Sequence, residues 1–287
     1  MIKKYLKRGL QYILHGTPVN YVKTEVVTLA PTELLKGRVA LITGGTSGIG
    51  LEIAKAFINA GAMCVITGRS QSKIDQACNS IVEENRNKIF GLVWDVTETN
   101  KNAERLEEAL KALDGKQIDI LVNNAGVVGG EIKDCTEDKF DAIADTNLKG
   151  TFFISQLLGR YMRDNKIKGN ILNIGSSSSL RPATSAYTMS KWGIYGMTKG
   201  LAKIMAPYGI TVNGLAPGPT ATPMLMPNGL ADNLAFPNPL GRFILPEEIA
   251  NMAVFLVSNM GRAIIGDMVF MTGGSGVVTF DDVQYSF

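Results

Sequence analysis

The stretch Arg38-Val-Ala-Leu-Ile-Thr-Gly-Gly-Thr-Ser-Gly-Ile-Gly50, continued by Leu51-Glu-Ile-Ala-Lys-Ala-Phe57, decides the fold. Residues 38–43 are an apolar run bounded by a turn, the pattern of a strand buried on both faces, and residues 51–57 place apolar side chains at a helical period. Between them lie Gly44, Gly48 and Gly50, with Thr46, Ser47 and Ile49 in the intervening positions. Strand, glycine-rich turn and helix make the first unit of a dinucleotide-binding α/β fold. The glycines let the backbone approach a pyrophosphate, and the helix N-terminus stabilises its charge. The spacing is G-x-x-x-G-x-G, and no Lys-Ser/Thr pair follows, so this is not a Walker A loop.

Three more strands follow on the C-terminal side. Met63–Thr67 ends at Gly68-Arg69, beside the expected adenosine ribose. NAD enzymes place an acid there, whereas NADP enzymes replace it and bring up a cation, so Gly68-Arg69 predicts NADP over NAD; a merely solvated Arg69 leaves the preference open. The strand at 88–94 runs into Asp95-Val96, and the strand at 118–122 runs into Asn123-Asn124-Ala125-Gly126. Both ends lie at the edge where ligands bind in such sheets, with Asp95 placed toward an adenine amino group and residues 123–126 letting the backbone pass close to the cofactor. Turn chemistry is the competing explanation for each.

A helical stretch from Glu137 to about Asp164 carries Asn147, and strand Asn170–Ile174 leads into Gly175 and the serines Ser176 to Ser179. Then comes Tyr187-Thr-Met-Ser-Lys191, in which i,i+4 spacing on a helix sets a phenol beside an ammonium. A nearby positive charge favours the phenolate, which makes Tyr187 a candidate general acid or base at neutral pH. A serine at the strand end, Ser176 or else Ser177, reaches the same substrate oxygen from another side. Ser178 and Ser179 read as polar loop.

With these residues in order, the chain resembles the short-chain dehydrogenase/reductase family from Leu35 to about Gly274. The match runs through Thr43-Gly44-x-x-x-Gly48-x-Gly50, Asp95, Asn123–Gly126, Asn147, the serine, Tyr187-x-x-x-Lys191, Pro217-Gly218, Thr222, Pro239–Arg242, Pro246–Ala250 and Gly273-Gly274. The resemblance implies one doubly wound domain with a seven-stranded parallel sheet, and interconversion of a ketone and a secondary alcohol by hydride transfer. It assigns proton transfer to Tyr187, pKa lowering and ribose binding to Lys191, oxygen binding to Ser176, and a water chain to Asn147. Pro217, Gly218, Thr220 and Thr222 would contact the nicotinamide and diphosphate. The usual family assembly is a homotetramer. Related activities with the same motifs are 3-oxoacyl-thioester reduction and sugar-acid reduction, and a non-catalytic NADP-binding sensor is the alternative from another class. The serine-to-tyrosine interval is about two residues shorter than the family's usual one, which leaves the serine register open.

Composition sets outer limits. The 287 residues carry a net charge of +3, too small to point to nucleic acid, and no run of 18 apolar residues spans a bilayer. Six Lys/Arg against two acids within residues 1–36 put the positive charge in an N-terminal extension; residues 37–287 form the catalytic domain. Residues 1–14 have amphipathic helical spacing, read as a helix packed on the protein or a neighbouring subunit in preference to one lying on a membrane. Three cysteines without C-x-x-C spacing fit a reducing, cytoplasmic setting. His15 is the single histidine, which excludes a histidine-centred triad or a multi-histidine metal site by count. In the expected substrate lid, 219–240, there is one acid and no cation, and Met224, Leu225, Met226, Leu230, Leu234 and Phe236 predict an apolar cover for a neutral ketone. The aromatic tail, 275–287, predicts a subunit contact.

Overall fold

The computed structural model describes residues 31–226 and 234–281. The expectations for residues 1–14, His15, Leu230 and 282–287 fall outside them. Strands β1 (Val39–Ile42), β2 (Met63–Gly68), β3 (Ile89–Val93), β4 (Ile120–Asn123), β5 (Asn170–Ile174), β6 (Thr211–Pro217) and β7 (Met268–Met271) form one sheet in the order β3-β2-β1-β4-β5-β6-β7. Every neighbouring pair is parallel, with Leu41 opposite both Val65 and Leu121 in the register.

Parallel strands need crossovers, and the helices that supply them cover both faces. The period of two along each strand divides the core accordingly. Ala40 and Ile42 face Ile53 and Phe57 of α1 (Gly48–Asn59) and Ile249 and Ala253 of the helix at Pro246–Val257. Val39 and Leu41 face the opposite layer, where Leu106, Ile154 and Leu158 pack. Burial of each such side chain contributes about 1.5–3 kcal/mol. Phe57, wholly buried, is the one whose truncation to alanine would cost most, about 3–5 kcal/mol. The remaining helices are α2 (Gln71–Asn79), α3 (Asn102–Ala112), α4 (Glu137–Ala144), α5 (Thr151–Asp164) and α6 (Ala186–Met205); Pro246–Val257 is α7.

One boundary differs from the sequence reading, and one helical stretch gains an internal feature. Leu35, assigned to the extension, has no exposed surface, belongs to the core against α1 and donates its N–H to Ala60 O at 2.8 Å. The domain therefore begins before residue 37. The helical stretch 137–164 is α4 and α5 joined by a π-helical turn, Asp145–Gly150, that carries Asn147. Such turns alter backbone pairing inside a helix and recur at functional sites.

Candidate active site

The order of the strands reverses at β1, and the crevice beyond the C-terminal ends of β1 and β4 is where such sheets take ligands. A cavity of about 990 Å³ opens there. Asn124 holds its floor together: its Nδ2 donates to Thr43 O (3.0 Å) and Gly44 O (2.9 Å), while Thr43 Oγ1 accepts from the N–H groups of Asn124 and Ala125. This stitching leaves no room for side chains. Gly44 has φ +63°, and a Cβ there would stand 2.9 Å from Ala125 Cα. A Cβ on Gly50 would meet Asn124 Nδ2 at 2.4 Å.

Thr46, Ser47, Gly48 and Ile49 line the cavity at the start of α1, and Ser47 caps that helix without a side-chain bond. Backbone N–H groups at this end are thus left for an anion, and the cradle fits a dinucleotide pyrophosphate. Arg69, Asp95, Val96, Ala125, Gly126, Pro217, Gly218, Thr220 and Thr222 also line the cavity. Gly50 does not; it packs behind the loop against Asn124, so its expected place in the cofactor contacts becomes a supporting one. Asp95 serves its own turn as well, since Oδ1 accepts from Thr97 N (2.9 Å) and Thr97 Oγ1 (2.8 Å). Sequence reading missed Ser70 and Lys73, which line the cavity beside Arg69. Lys73 follows Arg69 by four residues, a spacing that could have been noticed.

Ser185 fixes the other half. As N-cap of α6 it accepts from Thr188 N at 3.1 Å, which places Tyr187 in the first turn and Lys191 one turn on. Lys191 is buried, its Nζ donating to Ile174 O at 2.9 Å and lying 5.6 Å from the Tyr187 ring centre. Burial disfavours its charge and lowers its pKa from 10.5 to about 8. For Tyr187 burial again dominates and raises the phenol, while the hydrogen-bonding Ser176 hydroxyl pulls it down. The direction is opposite to the one expected from Lys191, whose ammonium is turned to Ile174 O and is not among the groups that shift the phenol. Tyr187 is therefore a protonated phenol at neutral pH. Ser176 is the serine whose hydroxyl hydrogen-bonds Tyr187. Ser179 is no loop residue: it is buried, and its Oγ donates to Lys191 O at 2.9 Å.

Asn147 stands behind this group and off the cavity wall. Its amide pairs with both backbone groups of Val127, accepting from N (2.9 Å) and donating to O (3.0 Å), and also donates to Ser190 Oγ (2.9 Å). Ser190 Oγ in turn donates to Tyr187 O. Beneath, Asn123 Nδ2 bonds Ser155 Oγ of α5 and Asn173 Oδ1, and Asn173 Nδ2 bonds Thr198 Oγ1 of α6, fixing both helices to the sheet.

Of the expected lid, Met224 and Leu225 line the cavity. Phe236 instead packs on Phe243, ring centres 4.6 Å apart, and so belongs to a turn outside the cavity wall. Gly129 and the exposed, charged Glu131 and Lys133 also line the cavity. Among the described residues no group of three His, Cys, Asp or Glu could hold a metal ion, and no helix is long and apolar enough to cross a membrane.

A family model described as short chain dehydrogenase matches residues 38–232. The 3-oxoacyl-(acyl-carrier-protein) reductase of Thermotoga maritima is 34% identical, over 84% of this chain and 98% of its own. Gluconate 5-dehydrogenase of Gluconobacter oxydans is also 34% identical, over 84% and 95%. The crystal structure of 3-ketoacyl-(acyl-carrier-protein) reductase from Brucella melitensis complexed with NADH superposes with a TM-score of 0.75 at 29% identity, covering 85% of this chain and 100% of that one. This chain belongs to the short-chain dehydrogenase/reductase family and is an oxidoreductase of hydroxyl and keto groups.

Proposed function

We propose that the protein interconverts a ketone and a secondary alcohol with NADP(H), and that Tyr187 carries the proton. The observation that supports this most is the triangle of Ser176, Tyr187 and Lys191 in one cavity with the glycine cradle. A bound nicotinamide would supply or accept the hydride. Ser176 and the Tyr187 hydroxyl hold the carbonyl oxygen, and Tyr187, protonated at neutral pH, donates as charge develops there. Lys191 stabilises the phenolate that remains and binds the nicotinamide ribose. Asn147 keeps Val127 and Ser190, and through them the catalytic turn, in register. Arg69, with Lys73 beside it, favours a 2′-phosphate, since no carboxylate follows β2 directly.

The relatives' names keep 3-oxoacyl thioesters and sugar acids among the candidate substrates. Exposed Phe152 and Phe153 on α5 with Met189 and Trp192 on α6 support a homotetramer, to be checked by light scattering. Free Cys64, Cys78 and Cys135 support a reducing, cytoplasmic setting. The deciding experiment titrates protein fluorescence with NADPH and NADH in the parent and in Arg69→Ala. Tighter NADPH binding that collapses in the variant is expected; equal or reversed preference in the parent would overturn the NADP assignment.

A further inference from the structure

The segment from Ser176 to Tyr187 carries the serine and the phenol at its two ends. It starts as a single 3-10 turn, Ser177–Leu180, in which Ser176 Oγ accepts from Ser178 N (3.1 Å), Ser179 N donates to Ser176 O (3.0 Å) and Arg181 N donates to Ser178 O (3.3 Å). Such turns have poorer hydrogen-bond geometry than an α-helix, so the place of a hydroxyl carried by one depends on what packs around it. Three parts of the chain do so. The first is α6, where Lys191 O accepts from Ser179 Oγ and Trp192 Nε1 donates to Arg181 O, both at 2.9 Å. Residues 129–132 hold the far end: Tyr187 N donates to Gly129 O (3.3 Å), Ala186 N to Gly130 O (2.9 Å) and Ile132 N to Thr184 O (2.9 Å), and Glu131 pairs with Ser185 in an antiparallel bridge. The third is the C-terminal segment beyond β7, which meets the turn at Arg181.

That segment folds on itself, with Gly276 N donating to Thr279 O (2.7 Å) and Val278 N to Gly274 O (2.8 Å). Gly276, at φ +68°, comes so close to the serine turn that a Cβ on it would stand 3.0 Å from Arg181 Nε and 3.1 Å from Ser177 O. The Phe280 ring centre lies 5.9 Å from the guanidinium carbon of Arg181. Among the cations lining the active-site cavity, Arg181 and Lys191 are buried, whereas Arg69, Lys73 and Lys133 are exposed. Burying a guanidinium is costly, and an aromatic face offsets part of that cost. We infer that Arg181 is a positioning residue for the Ser176–Tyr187 pair, and that residues 276–280 hold it through the close fit at Gly276 and the ring of Phe280. The inference deepens the proposed chemistry and rests on the reading of Tyr187 as the proton carrier. Arg181 acts through Ser176: a serine hydroxyl displaced from the phenol slows the step in which both hold the substrate oxygen, because small misplacements of reacting groups are costly.

Two measurements test it. Backbone hydrogen exchange on the whole protein reads the clamp without any substrate. Phe280→Leu removes the ring face and should speed exchange at the amides of Ser178, Ser179 and Arg181 about three- to tenfold, leaving β1 and β4 unchanged, and Phe280→Tyr should restore the parent rates. Unchanged exchange at the three amides, or exchange raised equally throughout the sheet, would overturn the clamp. Steady-state reduction is then measured with a 3-oxoacyl thioester and a keto-aldonate. Arg181→Met should lower kcat about 10- to 100-fold with KM within about twofold of the parent, and should add no further fall in a Ser176→Ala background. An effect confined to KM, or the same fall in both backgrounds, would overturn the positioning role and leave the carbonyl chemistry standing. A parent that reduces neither compound removes the reading of Tyr187 and the positioning role with it, whatever exchange shows.

Discussion

Replacing Lys191 by methionine should make the protein more stable and inactive at once. The ammonium is buried, and a fall in pKa from 10.5 to about 8 corresponds to about 3 kcal/mol by which folding disfavours its charged form. Methionine has a similar length and no charge, but it leaves Ile174 O without its 2.9 Å donor, a loss of about 1–2 kcal/mol. The balance at pH 7 is a gain of about 1–2 kcal/mol, or about 2–8 °C in Tm for a chain of this size. The dependence on pH gives the sharper test. Below about pH 8 the lysine is charged in both states and the whole penalty is present. Between about 8 and 10.5 the unfolded chain binds more protons than the folded one, so the parent gains stability as pH rises, and the methionine variant lacks that gain. Urea unfolding of both proteins at pH 7 and at pH 10 measures it. A variant less stable than the parent at pH 7, or an equal gap at the two pH values, would refute the reasoning.

Tyr187→Phe should keep cofactor affinity by fluorescence titration and lose about 100- to 10,000-fold in turnover, because the phenol is the proton donor in the proposed chemistry. Gly50→Ala forces a methyl group to within 2.4 Å of Asn124 Nδ2, so it should lower stability by about 1–3 kcal/mol and weaken cofactor binding without changing the pH profile of turnover. The Arg242–Glu248 pair, with contacts of 2.8 Å and a further bond from Leu245 N, holds the Glu248 carboxyl down from 4.5 to about 2. Its contribution is present above about pH 4.5 and lost as pH falls toward 2. Solvent reaches both side chains, so Glu248→Gln should cost only about 1 kcal/mol in chemical denaturation at pH 7 and nothing near pH 2.

The fold could be read because its signals are local. Apolar strand runs, the glycine turn and the i,i+4 pair at Tyr187 and Lys191 each depend on neighbours in sequence, and the structure brings them to one sheet edge. Side-chain interactions across the fold could not be read. That Asn124 stitches two strand ends, that Asn147 is spent on Val127 and Ser190, and that Ser179 holds the Lys191 carbonyl all require knowing which elements meet. The raised phenol of Tyr187 was missed for a related reason: sequence shows the neighbouring charge but not the loss of water. Nothing in the sequence of residues 129–132 says that they bend back to pair with 184–187.

That pairing has a bearing on how such an enzyme can change its diet. A residue inserted into 129–132 would slide the hydrogen bonds that seat Ala186 and Tyr187, so novelty on this side arrives coupled to damage in catalysis. Point changes at Glu131 or Lys133 escape the coupling, because the backbone groups carry the bridge and the side chains are spare. Breeding a new specificity into this scaffold should therefore begin with substitutions on the bridged wall and reserve changes of length for the lid side.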